Sequence, residues 1–317
     1  MEVELGRSGF NDLFVYVRMI YAREKAKRAL LEEFRSQVLS KVDSPRSLVS
    51  EVLEPYAEAL STVRNANYMA SSNAQDVNAL LNWLNKIDNS DWIPPAIHFL
   101  AQHKNDSVYV LWFFKRLERL AAYLHICSKN VNDRIERYAE VIKGLEQSHD
   151  LNNPVVDLEL TSQEKEEMRR VLDGEIYFLT ARRRNYLILR LDSFLTDGAA
   201  SYNHAILTIE HVLPQTVNPN SDWERLWPDP VLRQHWTHRL ANLVPLTFRR
   251  NVQASNYDFA KKKTAYFGGK SQVSSFILTS QVLSAPSWTP EYVDQRQKEL
   301  LEVLADNWEA LRRFKWI

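Results

Sequence analysis

Glycine is scarce in this chain, with 7 residues in 317. Only 12 prolines accompany them. Glycine and proline start and end many turns, so a chain poor in both favours long helices. The first long apolar stretch agrees, because Phe10, Leu13, Phe14 and Val17 recur at the spacing of one helix face. We therefore expect a mainly α-helical protein.

The helical pattern predicts two domains. Residues 1–150 contain several apolar helical stripes, and Asp106 is a favourable N-cap residue for one of them. Asn152-Asn153-Pro154 is a turn signal, and Thr161 begins a capping-box pattern for a new helix. We expect a helical bundle over residues 1–150 and a second helical domain over residues 151–317.

Aromatic residues in the first domain have two interpretations. They could pack in the core or form a platform for stacking nucleic-acid bases. Most of them lie within apolar helical stripes, which favours core packing. The residues concerned are Trp83, Trp92, Trp112, Phe113 and Phe114.

Composition excludes several functional classes. A single cysteine, Cys127, excludes an intramolecular disulfide and is typical of a reducing cytoplasm, where we place the protein. No apolar run approaches the roughly 18 residues of a membrane span, and no secretory signal is visible. No glycine-rich phosphate loop is present, so ATP or GTP hydrolysis has no recognisable site. The formal net charge of zero does not by itself indicate nucleic-acid binding.

The most informative stretch runs from residue 206 to residue 266. The run 206–209 alternates in the manner of a strand and ends in an acid-histidine pair, Glu210-His211. Asn242 opens a second apolar run, Asn251 follows it, and a polar helix begins near residue 255. Strand, long loop, strand and helix, with an acid-histidine pair and two asparagines, is the outline of a ββα-metal nuclease site. We expect an ordered loop between the strands, with a short helix near residues 221–226.

The chemistry of phosphodiester hydrolysis explains this combination of residues. A neutral histidine can take a proton from the attacking water, so His211 is the candidate general base. A hard divalent ion prefers oxygen ligands, so Glu210 and Asn251 are candidate ligands of Mg²⁺ or Mn²⁺. Asn242 completes the catalytic set as the residue that holds the loop carrying His211.

One geometric condition follows from strand structure. Adjacent strand residues point to opposite faces, so Glu210 and His211 can serve one phosphate only if the strand ends or bulges there. Pro214, three residues further on, favours a strand end.

Basic residues form three clusters near this stretch, and lysine and arginine supply most of the affinity for DNA backbone. A solvated helix face is the alternative interpretation of the first cluster. His235 and His238, in the loop between the strands, are either structural or extra ligands for a metal or phosphate. The candidate DNA-binding residues are Arg182, Arg183, Arg184, Arg249, Arg250, Lys261, Lys262 and Lys263.

The segments IEHVLPQ and HRLANLVPL carry a family resemblance, followed by Asn251, Asn256, Phe259, Lys262 and Tyr266. Together they resemble the HNH nuclease domain at the C-terminal end of GmrSD-type restriction endonucleases, and SspE-like phage-defence proteins carry a similar domain. Two departures, Ala241 for glycine and Pro245 for leucine or threonine, affect the second strand's backbone. The resemblance implies His211 as base, Glu210 and Asn251 as metal ligands, and Lys262 as a phosphate contact.

The resemblance also implies a function and partners. It implies a metal-dependent DNA endonuclease of a restriction or phage-defence system, acting on modified or phage DNA. Family members usually carry a ParB-like nucleotide-hydrolysing sensor domain with a DGQQR-type motif, which this chain lacks, so the sensor is expected as a preceding domain or a separate subunit. Two other hypotheses compete: a DNA-binding scaffold with an inactive nuclease fold, and a nuclease that acts on RNA.

Overall fold

The structure is a computed structural model that describes residues 2–147, 150–196, 207–247, 256–266 and 276–309. It divides into two compact units, Met1–Thr161 and Ser162–Ile317. The described residues are mainly helical, which confirms the predicted fold class at that level. No helix among them combines the length and apolar character needed to cross a membrane.

The first unit is helical throughout its described residues. A π-helical stretch, Leu48–Leu53, joins α3 to α4. Helix α4 packs on α6, α5 packs on α7, and α6 also contacts α8. The helices are Glu2–Ala22 (α1), Leu30–Gln37 (α2), Pro45–Ser47 (α3), Glu54–Asn65 (α4), Ala74–Leu84 (α5), Ile93–His103 (α6), Ser107–Ile126 (α7) and Val131–Leu145 (α8).

Local sequence signals explain where helix α7 of this core begins. Asp106 caps α7, because its side chain accepts a hydrogen bond from the Tyr109 backbone N–H at 3.0 Å. Trp83, Trp92 and Phe113 are buried, and each residue is at most 6% exposed. The core interpretation of these aromatic residues is therefore confirmed.

The segment after α8 packs with the first unit. Leu158 and Leu160 are buried. The Arg119 guanidinium of α7 donates to the Glu159 carboxylate at 2.6 Å. These contacts explain why the unit ends at Thr161, beyond the predicted boundary at residue 150.

The second unit combines helices with one small sheet. Helix α15 packs on α10, and α14 packs on β2. Its elements are Ser162–Leu172 (α9), Ala181–Phe194 (α10), Leu207–His211 (β1), Asp222–Leu226 (α11), Pro230–Thr237 (α12), Leu243–Thr247 (β2), Phe259–Tyr266 (α13), Ile277–Ser284 (α14) and Pro290–Asn307 (α15).

The sheet is an antiparallel pair of β1 and β2. Pro245 stands opposite Ile209, and a two-stranded sheet tolerates proline because each strand is an edge. The Pro245 carbonyl accepts a hydrogen bond from the Thr279 hydroxyl of α14 at 2.7 Å. Strand, strand and helix α13 therefore follow one another in the predicted chain order, with residues 248–255 outside the described part.

The long connection between the strands is ordered around tryptophans. Helix α11 begins after Ser221, whose hydroxyl accepts from the Glu224 N–H at 3.3 Å, so the predicted short helix is confirmed. Trp223, Trp227, Trp236 and Trp288 belong to one buried apolar cluster with residues of β2 and α14. The Trp227 indole donates to the Trp288 carbonyl at 2.6 Å, which ties this connection to the chain before α15.

Helix α15 holds the turn that leads into β2. A 3₁₀ turn, Leu240–Asn242, precedes that strand. The Ala241 carbonyl accepts from the Arg296 guanidinium at 3.1 Å, and the Ala241 N–H donates to the Gln297 side chain at 2.8 Å. Both peptide groups of this buried turn residue are therefore satisfied by adjacent side chains of α15.

Candidate active site

The acid-histidine pair lies at the end of β1. Glu210 pairs with Val244 and His211 with Leu243, in an uninterrupted register. Side chains of consecutive strand residues leave on opposite sides of the sheet. Accordingly, the Glu210 carboxylate contacts helix α13, while the His211 ring contacts residues before α10 and after α12. The strand ends at His211.

The His211 ring is enclosed by other side chains. His211 is only 5% exposed, and its ring centroid lies 4.1 Å from that of Tyr177. Nε2 lies 3.2 Å from Nδ1 of His238, and Nδ1 lies 3.3 Å from the side-chain nitrogen of Gln215. Because the Gln215 amide nitrogen can only donate, Nδ1 of His211 carries the lone pair and Nε2 the hydrogen.

Burial lowers the pKa of His211 to about 3, with smaller contributions from His238 and from the positive charges of Lys262 and Arg184. The cause is mainly the cost of placing an imidazolium away from water. The ring is therefore neutral at physiological pH, which is the protonation state that a proton acceptor requires.

His238 is the neighbour that sequence reasoning left unassigned between a structural residue and a ligand. It is half-buried, and burial lowers its pKa as well. The His238 carbonyl accepts a hydrogen bond from the Tyr177 N–H at 3.2 Å, which brings the turn before α10 to the same place. The signal in the sequence is its position at the start of the motif HRLANLVPL, four residues before Asn242.

Asn242 is completely buried and binds the chain directly after His211. Its Oδ1 accepts from the Leu213 N–H at 2.7 Å and from the Trp288 indole at 3.0 Å. Its Nδ2 donates to the carbonyls of Leu213 at 3.0 Å and Thr237 at 2.9 Å. One amide group thus holds both backbone atoms of Leu213, two residues beyond His211. This is the loop-holding geometry that the sequence analysis assigned to Asn242, and its part in catalysis stays a prediction.

Glu210 faces a buried lysine. The Lys262 ammonium of α13 lies 2.7 Å from the Glu210 carboxylate and 2.6 Å from the His211 carbonyl. The Lys262 side chain is 1% exposed and that of Glu210 is 12% exposed. Burial lowers the pKa of Lys262, and the negative charge of Glu210 opposes that shift. A phosphate contact by Lys262 would require this pair to open, and that role stays a prediction.

Of the two predicted metal ligands, Glu210 lies among the described residues. Glu210 is a carboxylate ligand of the type that Mg²⁺ prefers, and it keeps some exposure beside His211. A carboxylate can bind more than one cationic partner, so the pair with Lys262 does not exclude a metal. Within the described ranges, no group of three acidic, histidine or cysteine side chains could hold an ion. The second predicted ligand, Asn251, lies outside the described residues.

The three consecutive lysines of α13 point in different directions, because successive helix residues are rotated by about 100°. Lys261 is exposed, with its ammonium 3.4 Å from the ring centroid of Tyr257. Lys263 is half-buried and donates to the Ala285 carbonyl at 2.7 Å. A cluster of lysines in the sequence is therefore not a cluster on one surface.

The three arginines of the first predicted cluster lie in the first turn of α10. Arg182 is exposed, and Arg183 is half-buried. The Arg184 guanidinium lies 4.4 Å from the Tyr177 ring centroid and donates to the Tyr177 carbonyl. The two remaining predicted DNA contacts, Arg249 and Arg250, lie outside the described residues.

Fold and site define a class: a mainly helical protein whose second unit presents an acid-histidine pair at the end of a two-stranded sheet. Residues 162–303 match the family described as "GmrSD restriction endonucleases, C-terminal domain". That segment is similar to this domain, which agrees with the resemblance found in the sequence. The match supports a nuclease of the restriction-endonuclease type, for which DNA is the substrate. No curated protein matches the chain.

The extent of the match agrees with the division of the structure. It begins at residue 162, where the second compact unit begins. His211, Glu210, Asn242 and Lys262 all lie within it. The first unit lies outside it, so the family match carries no information about the helical bundle.

Proposed function

We propose that the second unit is a divalent-metal-dependent DNA endonuclease of the HNH, or ββα-metal, type, with His211 as the general base. The observation that supports it best is the acid-histidine pair at the end of β1, directly followed by a loop that Asn242 holds in place. At a strand end, as at a bulge, adjacent side chains can approach the same phosphate.

The arrangement around His211 indicates which atom acts. Nε2 is paired with His238, so Nδ1 is the nitrogen whose lone pair can accept a proton from water. Gln215 occupies that direction at 3.3 Å, and because it is an exposed residue, a substrate can displace its side chain. Hydrogen bonds at catalytic groups commonly tighten or rearrange when the substrate binds.

The depressed pKa of His211 also has a functional consequence. An imidazole with a pKa near 3 is a weak base until an anion approaches. A phosphodiester brings that negative charge, which raises the pKa of His211 towards physiological pH. Substrate binding would then strengthen the base at the place where it is needed.

The proposed cofactor is Mg²⁺ or Mn²⁺, held by Glu210 and by Asn251. A bound divalent ion supplies positive charge to the phosphoryl oxygens and to the leaving oxygen. The Lys262 ammonium contributes a second positive charge on the Glu210 side of the strand. Its role in this proposal is to hold the Glu210 carboxylate in place.

Two groups of basic residues would bind DNA phosphates. One is accessible in the described part of the chain, and the other lies outside that part. In the described part these are Arg182, Arg183 and Lys261, while Arg184 and Lys263 are held by backbone carbonyls. Arg249 and Arg250 complete the proposed set. Such contacts set affinity and orientation without reading sequence.

The biological setting is proposed from the family. Restriction or phage defence in the cytoplasm, with modified or phage DNA as substrate, would require a sensor such as the ParB-like nucleotide-hydrolysing domain expected from the resemblance. Comparing cleavage of modified and unmodified plasmid, with and without such a partner, tests this part of the proposal separately from the chemistry.

One observation favours a second candidate, a DNA-binding module with an inactive nuclease fold. Both the candidate metal ligand Glu210 and the candidate base His211 are engaged by other side chains in this structure. An inactive protein would bind plasmid without nicking it at any metal concentration.

The decisive experiment is plasmid nicking by the purified full chain with Mg²⁺ or Mn²⁺. His211→Ala should lose about 10²–10⁴-fold in rate, because general-base contributions are of that order. Gln234→Ala is the matched control, since Gln234 is exposed in the same unit and has no proposed role. Full activity of His211→Ala would refute the mechanism, and preferential cleavage of a competing RNA would redirect the proposal to RNA.

A further inference from the structure

Phe178 is an aromatic ring exposed to solvent. Among the exposed large apolar residues of the described chain, two are aromatic: Phe178, 66% exposed, and Tyr257, 41% exposed. The Tyr257 ring lies under the Lys261 ammonium, at 3.4 Å. Single exposed apolar side chains are common in soluble proteins, so exposure alone indicates nothing, and the position of the ring must decide.

The position of Phe178 is beside the candidate active site. Its ring centroid lies 4.4 Å from that of His238, which in turn contacts His211. The adjacent Tyr177 ring lies 4.1 Å from the His211 ring. Tyr177 and Phe178, which we call the aromatic shelf, therefore lie against the two histidines of the proposed site.

The aromatic shelf is held in place from both ends. The Tyr177 N–H donates to the His238 carbonyl, and the Tyr177 carbonyl accepts from the Arg184 guanidinium. Ile176, at the start of the same 3₁₀ turn, is buried. A backbone fixed in this way loses little conformational entropy when a ligand stacks on the shelf.

We propose that the aromatic shelf binds a nucleobase of the DNA strand whose phosphate is cleaved at His211, with Phe178 as the stacking surface. The proposal rests on the proposed nuclease function and names a contact of that same site. Bases of every type have an apolar π-face, so stacking on an aromatic side chain tolerates any sequence. The neighbouring arginines of α10 supply the positive charge that a nucleic-acid strand requires.

The distances limit which nucleotide can reach the shelf. The centroids of Phe178 and His238 are 4.4 Å apart, and those of His238 and His211 are 5.2 Å apart. Because a stacked strand rises about 3.4 Å per nucleotide, the base on Phe178 lies within a few nucleotides of the phosphate at His211. A paired base inside a duplex already has both faces covered, so the shelf selects an unpaired or extruded nucleotide.

The test measures binding without cleavage. The purified full chain is titrated, in EDTA and low salt, into single-stranded oligonucleotides that contain the fluorescent base 2-aminopurine, and into the same sequence as a duplex. Phe178→Ala and Phe178→Leu should bind the single strand about 5- to 150-fold more weakly, the range expected for one lost stack. Phe178→Trp, which keeps an aromatic ring, should retain affinity and the quenching of 2-aminopurine.

Val231→Ala is the matched control, because Val231 is 72% exposed in the same unit and lies on α12. It should bind as the unsubstituted protein does, and circular dichroism should show that all variants are folded. Unchanged affinity and quenching in Phe178→Ala would overturn the shelf while leaving the nuclease proposal standing. Failure of the unsubstituted protein to bind or nick any DNA would instead overturn the proposed function, and the shelf with it.

Discussion

Replacing Asn242 tests the part of the site on which the position of His211 depends. The buried amide makes four hydrogen bonds, two through Oδ1 and two through Nδ2. Asn242→Asp keeps the shape and the two accepted bonds from the Leu213 N–H and the Trp288 indole. It removes both donors and leaves an oxygen facing the carbonyls of Leu213 and Thr237.

The magnitude follows from the groups left without partners. A buried polar group that loses its partner costs about 1–3 kcal/mol. Asn242→Asp leaves two carbonyls unsatisfied, so we expect a loss of about 2–6 kcal/mol in the free energy of unfolding at pH 7. That corresponds to a fall of roughly 10 °C in Tm for a unit of this size. Asn242→Ala leaves four groups unsatisfied and should be the less stable variant.

The pH dependence of Asn242→Asp has a defined sign. The introduced carboxyl faces two carbonyls away from water, so its pKa in the folded state should lie above the unfolded value of about 3.9. Between these two pKa values the folded state binds more protons than the unfolded state, and stability relative to the parent protein rises as pH falls. Protonation also restores one donor to a carbonyl.

The assay is guanidinium and thermal unfolding at pH 7.5 and pH 5, followed by circular dichroism and tryptophan fluorescence. Asn218→Asp is the control, because Asn218 is exposed in the same unit and should show no pH-dependent difference from the parent. A loss below about 1 kcal/mol in Asn242→Ala would refute the view that this amide holds the loop, because one typical hydrogen bond accounts for that much.

Four other outcomes are expected. Glu210→Gln should lose nicking activity and regain part of it at higher Mg²⁺ or Mn²⁺ concentration. His211→Ala should regain none, since metal cannot replace a base. Equal rescue of the two variants in a metal titration would contradict this division of roles. Lys262→Met should cost about 3 kcal/mol in unfolding experiments, because it leaves the Glu210 carboxylate without its ion pair, and Glu210→Gln in the same chain should restore part of it. His98 is buried against Tyr56 in the first unit, and burial lowers its pKa to about 4. Between about pH 6.5 and pH 4 it is therefore neutral in the folded state and charged in the unfolded state. The free energy of unfolding should fall by about 2 kcal/mol from pH 7 to pH 5, and by less in His98→Gln. Arg182→Glu should weaken DNA binding and reduce the salt slope by about 1 in filter-binding titrations, and an unchanged slope would remove this arginine from the DNA contacts.

Local sequence signals predicted much of the fold. Few glycines and helical apolar stripes indicated a mainly helical chain, and the caps at Asp106 and Ser221 lie where their sequence context places them. The domain boundary depended on tertiary contacts. Arg119 and Glu159 are far apart in sequence, and no local pattern shows that they meet.

The site was predictable in its residue types and only partly in its geometry. The acid-histidine pair and Asn242 were found from spacing, because strand ends and buried asparagines follow local rules. The run Lys261 to Lys263 does not lie on one surface, because the rotation of the helix turns Lys262 inwards, and the predicted DNA contacts there stay predictions. The contacts of His238 and Tyr177 with His211 come from a turn before α10 and a loop after α12, which only the folded chain brings together.

The alternation of strand side chains connects these observations to the chemistry. Within β1, Glu210 and His211 belong to opposite faces, and Lys262 and His238 hold them there. In the proposed mechanism, a single phosphate can meet both only because the strand ends at this point. Asn242 fixes that point, because its backbone carbonyl accepts from the Val212 N–H at 2.9 Å and its side chain binds both backbone atoms of the next residue. Asn242, the residue directly before β2, therefore fixes the chain where β1 ends. In the proposed mechanism, that position decides whether Glu210 and His211 can act on the same substrate.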